Sequence, residues 1–521
     1  MRRRAVQARW VLGTAAATCA LWACKPARPA ETAEGVAGAP SELSAEQLIM
    51  RAAAGPVVEL RLVFDAGSAD DPKGREGLTY VMLKSMLEGR AGSLSYAERT
   101  RVLYPMAALL EGHVGREQLV IAARVHVDHL ERFYPLLRDV LQAPAFERAD
   151  VERVRVRALA SLTQDLRGGD DEELGKQTLQ AMIYEGSPSA HPELGSETGL
   201  SSVQSADVAA QWGRLICAQR LRVALSGPVS EAFVRGLRSD LGALDRPACT
   251  GSTPAVAGEA QAASTRVWLV DKPDAQSVAI SLGVPTEVTR EHPDYAALTL
   301  AAAYLGQHRT FAGLLMRQVR EERGLNYGDY AYAEHFEQDG DSRFPAPNVA
   351  RHKQYFSIWI RPVRPEHAHF TLRLVWRELR QLLSEGIGIE EFQRIQRFAD
   401  RYYALYAQTE QQRLGHALDD RFYRRREPYL DSLRAAFRAL TREQLMAAVR
   451  RHLALERVQI AIVAPNAAAF AKQLVQGAPS PITYSSEKPA AILEEDKSVV
   501  SYPLGLREEQ LKIIPIAEWF P

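Results

Sequence analysis

The chain has 521 residues, with 64 basic and 64 acidic side chains, so its formal net charge at pH 7 is zero. This balance argues against a nucleic-acid-binding protein, which would carry a basic excess. Hydrophobic residues make up 46% and charged residues 25%, which excludes a disordered chain and a protein with many membrane spans. The length predicts two or more domains rather than a single core.

The start of the chain has the features of a targeting signal. Four arginines precede or flank an uncharged run of 14 residues from Trp10 to Ala23. This run is shorter than the roughly 20 apolar residues that span a bilayer, so it is typical of a signal peptide. The sequence Leu21-Trp22-Ala23-Cys24 resembles the bacterial lipobox, in which the cysteine is acylated. The alternative is a plain secretory signal followed by an unrelated cysteine.

Lipid chains on Cys24 would anchor the mature protein in a bacterial cell envelope. Lys25 follows, where lipoproteins retained in the inner membrane carry Asp, so the resemblance implies the outer membrane, facing the periplasm. Residues 26–40 are mostly Ala, Pro, Glu and Gly without periodicity, which predicts a flexible tether. Residues 1–23 contain four arginines and no acidic residue, so the mature chain would be mildly acidic.

The positions of the cysteines leave one candidate disulfide. Cys19 would leave with the signal and Cys24 would carry lipid, so Cys217 and Cys249 remain. In an oxidising periplasm the two could pair, or they could stay as two buried thiols. The spacing alone does not decide between these alternatives.

The body of the chain contains a duplication. Residues 205–228 and 441–465 each show an apolar period of four followed by an alternating strand when their closing prolines are aligned. A capping box beginning at Thr441 marks the helix start of the second copy. Strands predicted over 57–66 and 277–284 open the two halves in the same order, which favours a true repeat.

These patterns predict an α+β fold of two homologous halves, each with an antiparallel-rich sheet covered on one face by helices. The C-terminal tail has a short apolar strand and two aromatic residues, and it docks either on a partner or on the chain's own domains. The predicted organisation is a signal peptide at 1–23, a tether at 24–50, a first domain at 51–249, a linker at 250–266, a second domain at 267–477 and the tail at 478–521.

One resemblance covers the chain from about Val57 to about Gly477. A strand ending at Gly67-Ser68, a helix from Gly77 to Gly89 and a later motif from Leu315 to Tyr327 occur in the order found in insulinase-like (pitrilysin) metallopeptidases. The resemblance implies two insulinase-type halves. In active members the first helix carries H-x-x-E-H, whose histidines bind Zn²⁺ and whose glutamate activates water.

The zinc-site positions implied by this resemblance hold other residues. Tyr80 and Lys84 stand where the two histidines would be, and Leu83 replaces the general base. The third ligand of the family is a glutamate on a later helix, here predicted over 149–165, and the matching position is Ser161. These side chains are poor Zn²⁺ ligands. The sequence therefore predicts a degenerate zinc site, no metal and no other cofactor in this chain.

The histidines offer no obvious displaced metal site. His126 and His129 are the nearest pair, and they are predicted to lie on a strand. Residues three apart on a strand face opposite sides, so the two rings are expected to diverge.

The second half keeps an arginine and a tyrosine that, by the resemblance, contact the substrate carbonyl. Arg320 and Tyr327 have the family's spacing, with Gly324 at the predicted turn between helix and strand. A guanidinium and a phenol O–H are donors that stabilise an oxyanion. Arg323 is the alternative donor if the register slips. The other interpretation is that the pair only holds the helix–strand corner.

The resemblance therefore implies a zinc-free, substrate-binding subunit of a heteromeric insulinase-like peptidase that acts on peptides in the periplasm. Its partner would be a zinc-bearing insulinase-like chain, and this chain would be inactive alone. The alternative is an inactive scaffold or peptide-binding lipoprotein of the same fold. An independent hydrolase is disfavoured because the sequence contains no G-x-S-x-G motif.

Overall fold

A computed structural model describes residues 42–246, 248–249, 264–310 and 312–521 of the protein. The predicted signal peptide, Cys24 and most of the predicted tether and linker lie outside the described residues. Within the described ranges, no helix is long and apolar enough to cross a membrane.

The first half contains one sheet and a set of helices. Its elements are β1 (Leu48–Arg51), β2 (Val57–Phe64), α1 (Leu78–Glu88), α2 (Tyr96–Leu103), β3 (Leu109–Val114), β4 (Leu119–His126), α3 (Leu130–Gln142), α4 (Arg148–Ala160), α5 (Asp171–Ile183), α6 (Glu197–Ser202), α7 (Ser205–Leu215), β5 (Leu221–Ser226) and α8 (Glu231–Gly242).

The second half follows the same plan and ends with the tail. Its elements are β6 (Arg266–Asp271), β7 (Val278–Thr286), α9 (Tyr295–Gly306), β8 (Asp329–Tyr332), β9 (Gln354–Val363), α10 (Pro365–Glu385), α11 (Ile389–Tyr402), α12 (Glu410–Phe422), α13 (Tyr429–Ala439), α14 (Arg442–His452), β10 (Gln459–Ala464), α15 (Ala467–Gln476), α16 (Ala490–Val500) and β11 (Leu511–Pro515).

The two sheets have the same strand order. The first runs β1-β5-β2-β4-β3, and the second runs β6-β10-β7-β9-β8 with β11 added beside β6. In the shared order the first pair, β1 with β5 or β6 with β10, is parallel, and the three pairs that follow are antiparallel. This correspondence confirms the predicted α+β fold of two homologous halves.

A local signal in the sequence explains where α14 begins. The Thr441 hydroxyl accepts the backbone N–H of Gln444 at 3.2 Å, and the Gln444 side chain accepts the N–H of Thr441 at 2.9 Å. This is the predicted capping box, and it satisfies two of the donors that a helix start leaves unpaired.

The predicted helix over 149–165 is not one continuous α-helix. It consists of α4 followed by a π-helical segment, Ser161–Gly169.

Each sheet is covered on both faces, which corrects the prediction of helices on one face only. The inner face packs on helices of the same half, and the outer face receives one helix from the opposite half. α12 places Leu414 and Leu418 against Val63, Val120 and Ala224 of the first sheet. In the other direction, α5 packs on β7 and β10 of the second sheet. The halves are therefore interlocked rather than side by side.

Glycines allow α5 to lie close to the second sheet. A Cβ at Gly283 of β7 would come within 2.8 Å of the Ile183 Cδ1 atom and 3.1 Å of a Leu179 methyl. Gly175 of α5 faces Ser281 and Val463 from the other side. The missing side chains leave room for the helix to approach the sheet closely.

The C-terminal tail packs on its own chain and joins the two halves. β11 extends the second sheet as a strand parallel to β6. Further on, Trp519 is buried in the core of the first half, and the backbone carbonyl of Phe520 accepts a hydrogen bond from Arg167 at 2.6 Å. Of the two alternatives for the tail, the structure thus shows docking within the chain.

Cys217 and Cys249 form a disulfide in the structure, with a Cα–Cα distance of 6.1 Å. This separation lies in the usual range for bonded cysteines. The bond ties the segment after α7 to the segment after α8, 32 residues further on.

Candidate functional site

A cavity of about 640 Å³ lies between the two halves. It is lined by α1, β3 and α5 of the first half and by β8, β9 and the loop after β8 of the second half. The strands β3 and β8 are the edge strands of their sheets. An edge strand offers unpaired backbone groups, so a peptide lying in the cavity has two sheets with which it can pair.

α1 places Tyr80 and Lys84 together on the cavity wall, because residues four apart lie on one face of a helix. The Nζ atom of Lys84 donates to the carbonyl oxygen of Gly112 in β3 at 3.0 Å. The same atom lies 5.8 Å from the centre of the Tyr80 ring. Burial lowers the pKa of Lys84 and raises the pKa of Tyr80.

Two other positions singled out by the sequence do not reach the cavity. Leu83 points into the core of the first half and is fully buried. Ser161 is half-buried where α4 passes into the π-helical segment, and it is not among the described residues that line the cavity. The structure thus brings together only two of the four zinc-site positions.

One group of carboxylates on the cavity wall comes from the start of α5, which sequence reasoning missed. Glu172 accepts hydrogen bonds from Arg361 of β9 at 2.9 Å and pairs with Lys176 one turn away at 2.9 Å. The Nζ atom of Lys176 lies 3.9 Å from the centre of the Trp359 ring, a cation–π contact. This network ties α5 of the first half to β9 of the second.

A second group of charged residues connects β3 of the first half to the loop after β8 of the second half. His113 Nε2 lies 3.2 Å from one oxygen of Glu337, and His335 Nε2 lies 3.0 Å from the other. Burial raises the pKa of Glu337, but the two histidines, His113 first, lower it well below its usual range. Burial lowers the pKa of His113, but Glu337 raises it by more. Burial and the charge of Arg351 lower the pKa of His335 to about 4.

Glu193, which also lines the cavity, is held by two buried arginines. Arg116 Nη1 lies 2.6 Å from its Oε1 atom, and Arg351 Nη2 lies 3.4 Å from it. Gln180 of α5 accepts from both arginines, at 2.5 Å and 2.7 Å. Burial alone would raise the pKa of Glu193, but Arg116 and Arg351 lower it overall. These ion pairs and hydrogen bonds connect the first half to the second.

Arg320 and Tyr327 lie close together at the surface. The guanidinium of Arg320 is 4.9 Å from the centre of the Tyr327 ring, and that of Arg361 is 5.5 Å from it. The Tyr327 side chain is 67% exposed. The backbone of Gly324 has a φ of +69°, which is the turn that the sequence predicted at this glycine.

Arg323, the alternative donor, has a different role. Its side chain is fully enclosed and donates to Asp496 at 2.9 Å and to Glu495 at 2.7 Å, both in α16. It therefore fastens the tail to the second half. Between the two arginines, the geometry favours Arg320 as the residue that can face a substrate.

Asp329, two residues after Tyr327, is buried beneath the same turn. Its Oδ1 atom accepts from the Asn326 side chain at 2.8 Å, while Oδ2 has no hydrogen-bond partner among the described residues. Burial raises the pKa of Asp329 to about 8, although Asn326 and Arg361 act in the opposite direction. At neutral pH this carboxyl is mostly protonated.

Comparison with known proteins identifies the family. The chain matches the model of insulinase (peptidase family M16) over residues 48–187 and that of the peptidase M16 inactive domain over residues 203–398. This chain belongs to the insulinase-like M16 family and lacks its zinc motif. It is 23% identical over 284 residues to "Non-peptidase homolog YmxG" of Helicobacter pylori. That match spans 53% of this chain and 62% of the relative, less than two thirds of the relative's length.

Solved structures show the same fold. The peptidase M16 inactive domain from Pseudomonas fluorescens has a TM-score of 0.68 at 22% identity, covering 81% of this chain and 97% of that one. A protease from Helicobacter pylori has a TM-score of 0.69 at 12% identity, covering 81% of this chain and 98% of that one. At such identities the likeness concerns the fold alone.

The zinc of active insulinase-like peptidases does not fit the residues found here. Of the four positions, Leu83 has no donor atom, Lys84 already donates a proton to a carbonyl oxygen, and Ser161 is not on the cavity wall. Zinc takes nitrogen, sulfur or carboxylate donors with free electron pairs. No metal-dependent step can therefore be assigned to this part of the chain.

One cluster of possible metal ligands escaped the sequence analysis. His292, Asp294 and His452 offer ligand atoms that all lie within 4.8 Å of one another. Asp294 is already paired with His452 at 2.8 Å and with Arg451, so its carboxylate is occupied. The cluster forms where α9 meets α14, and no local spacing could have revealed it because His452 lies 160 residues after His292.

Proposed function

We propose that this chain is the zinc-free, substrate-binding subunit of a heteromeric insulinase-like peptidase. The partner, a zinc-bearing insulinase-like chain, supplies the metal and the general base. This chain supplies Arg320 and Tyr327, which donate hydrogen bonds to the carbonyl oxygen of a peptide substrate. The observation that carries the proposal is the exposed Tyr327 phenol, flanked by the guanidinium groups of Arg320 and Arg361.

The chemistry of the pair supports this role. When a scissile carbonyl is attacked, its oxygen gains negative charge, and donors already aimed at that oxygen stabilise the transition state. Tyr327 is a neutral donor and Arg320 is a cationic one. Arg361, which flanks the ring, donates a hydrogen bond of 2.9 Å to Glu172. Glu172 belongs to the first half, so the position of the ring depends on residues from both halves.

The exposure of Tyr327 also supports action in trans. The Tyr327 side chain is 67% exposed, so its phenol group is open to solvent and accessible to a second chain. A second chain that carries zinc can cover this surface and exclude water around the substrate. We further propose that the complex lies in the bacterial cell envelope, with a lipid anchor on Cys24, and that its substrates are peptides.

The second candidate is a scaffold or peptide-binding lipoprotein without any part in catalysis. The observation that favours it is the 640 Å³ cavity, which this chain forms from its own two halves. The related protein of Helicobacter pylori is named a non-peptidase homolog, which is consistent with this role. The two candidates differ in whether Tyr327 affects turnover.

The test begins with purification of the chain from its native envelope and identification of the zinc-bearing chain that accompanies it. In the reconstituted pair, Tyr327→Phe should lower kcat roughly 10²- to 10³-fold, the usual loss of one oxyanion donor. Assembly of the pair, measured by analytical ultracentrifugation, should be unchanged.

Tyr104→Phe is the matched control, since Tyr104 is 85% exposed on the first half and should leave kcat as it is. Equal turnover by the Tyr327→Phe and wild-type pairs would refute the catalytic role and leave the scaffold role.

A further inference from the structure

On its cavity-facing side, α1 carries two hydrogen-bond donors at the positions where active members of the family carry two metal ligands. Tyr80 and Lys84 both line the cavity from one face of the helix. In active members the same spacing brings two electron-pair donors together around a cation. Here it brings together a phenol O–H and an ammonium group, which are suited to an anion instead.

Lys84 forms no ion pair with a described residue, although the carboxylates of Glu88 and Glu111 act on its charge from further away. The one hydrogen bond that Lys84 donates to a described residue goes to the neutral carbonyl of Gly112, and no described carboxylate lies within the 4.0 Å ion-pair distance of its Nζ atom. An ammonium group has three donors, so two remain. Tyr80 likewise makes no hydrogen bond to a described residue through its hydroxyl group.

Most of the acidic residues that line the cavity are already paired with a cation. Glu172 pairs with Lys176 and Arg361. Glu193 pairs with two arginines, and Glu337 pairs with two histidines. Glu88, which acts on Lys84, is itself paired with Arg153 and Arg157, so Lys84 is a cation on the cavity wall that has no ion-pair partner of its own among the described residues.

We infer that Lys84 and Tyr80 bind a carboxylate of a peptide ligand, with the ammonium group pairing with one oxygen and the phenol donating to the other. This inference deepens the peptide-binding role proposed above and rests on it. The carboxylate is that of the peptide C-terminus. β3 lies beside the pair, so the rest of the peptide can extend along the edge of the first sheet. The positions that hold metal ligands in active members would then select peptides that have a free C-terminal carboxylate.

The test uses one acetylated pentapeptide, Ac-Gly-Ser-Ala-Ser-Gly, with either a free C-terminal carboxylate or an amide, titrated into the full chain by calorimetry. The free acid should bind at least roughly 10-fold more tightly than the amide, since one charge-assisted hydrogen bond is at stake. Lys84→Met should remove this difference. Tyr80→Phe should reduce the affinity for the acid roughly 3- to 10-fold, as for one neutral hydrogen bond.

Lys73→Met is the control, because Lys73 is exposed and lies outside the cavity lining, so it should change nothing. Circular dichroism checks that each variant is folded, and Lys84→Arg, which keeps the charge, should retain a preference for the acid.

Equal binding of acid and amide would overturn the inference and leave peptide binding intact. Absence of binding by both peptides would also overturn it, while the effect of Tyr327→Phe on the reconstituted pair would still decide the proposed function separately.

Discussion

The indole N–H of Trp519 donates a hydrogen bond of 2.8 Å to the hydroxyl oxygen of Thr178. Thr178 belongs to α5, the helix by which the first half covers the second sheet, and Trp519 is only 2% exposed. Because β11 is held in the second sheet at the same time, the tail links both halves.

Trp519→Ala should therefore lower the free energy of unfolding by about 3–5 kcal/mol, the usual loss for a buried aromatic side chain. Urea denaturation followed by circular dichroism measures this change. Ile513→Ala, at a side chain 43% exposed in β11, is the control and should cost less than about 1 kcal/mol. A cost of less than about 1 kcal/mol for Trp519→Ala would show that this contact contributes little.

The interlocked helices predict cooperative unfolding. Leu418→Ala in α12 removes a fully enclosed side chain from the outer face of the first sheet, and it should cost about 2–5 kcal/mol. Because α12 belongs to the second half, hydrogen exchange should show loss of protection in both halves together. Loss confined to the second half would contradict the interlocked arrangement.

Asp329 should make stability depend on pH. Its pKa is raised to about 8 in the folded chain, against about 4 in an unfolded chain. Its contribution to stability is therefore present below about pH 4 and is lost as the pH rises towards 8.

Asp329→Asn removes this loss. The stability of the variant relative to wild type should increase with pH by at most about 1.4 kcal/mol per unit between pH 4 and 8. Urea titrations at several pH values test this, with Asp274→Asn, at an exposed residue, as the control. A constant difference between Asp329→Asn and wild type would refute it.

Metal analysis tests the degenerate zinc site. The purified chain should contain less than one zinc ion per chain and should cleave no peptide alone, because Lys84 and Leu83 cannot serve as ligand and base. If zinc is found, the double variant His292→Ala/His452→Ala should release it. These two histidines belong to the one cluster of possible metal ligands found among the described residues. Zinc retained by that variant but lost on Tyr80→Phe would contradict the prediction.

Local patterns in the sequence predicted much of the fold. The strand over 57–66, which is β2, and the helix–strand units that close both halves were predicted close to their observed bounds, since alternation and a period of four report burial directly. The strands that precede β2 and β7, namely β1 and β6, were not predicted, so the two predicted strands do not open the halves. The pairing of Arg320 with Tyr327 also follows from short-range geometry, because a left-handed glycine between them reverses the chain. Whether the pair acts on a substrate stays a prediction.

Long-range geometry accounts for what the sequence did not reveal. The apolar face of α12 indicates burial, but nothing in its period says that the sheet beneath it belongs to the other half. β4 was expected to continue through His129, yet it ends at His126 and the chain turns there. The two imidazole rings are consequently 6.3 Å apart rather than on opposite faces.

The crossing of α12 has a consequence for the order of folding. The first sheet ends at residue 226, but Leu414 and Leu418, which cover its outer face, lie almost 200 residues further along the chain. Until α12 packs, Val63, Val120 and Ala224 form an apolar surface on the partly folded chain. Chains in this state can associate through that surface, so the yield of refolded protein should fall with protein concentration more strongly than its final stability suggests.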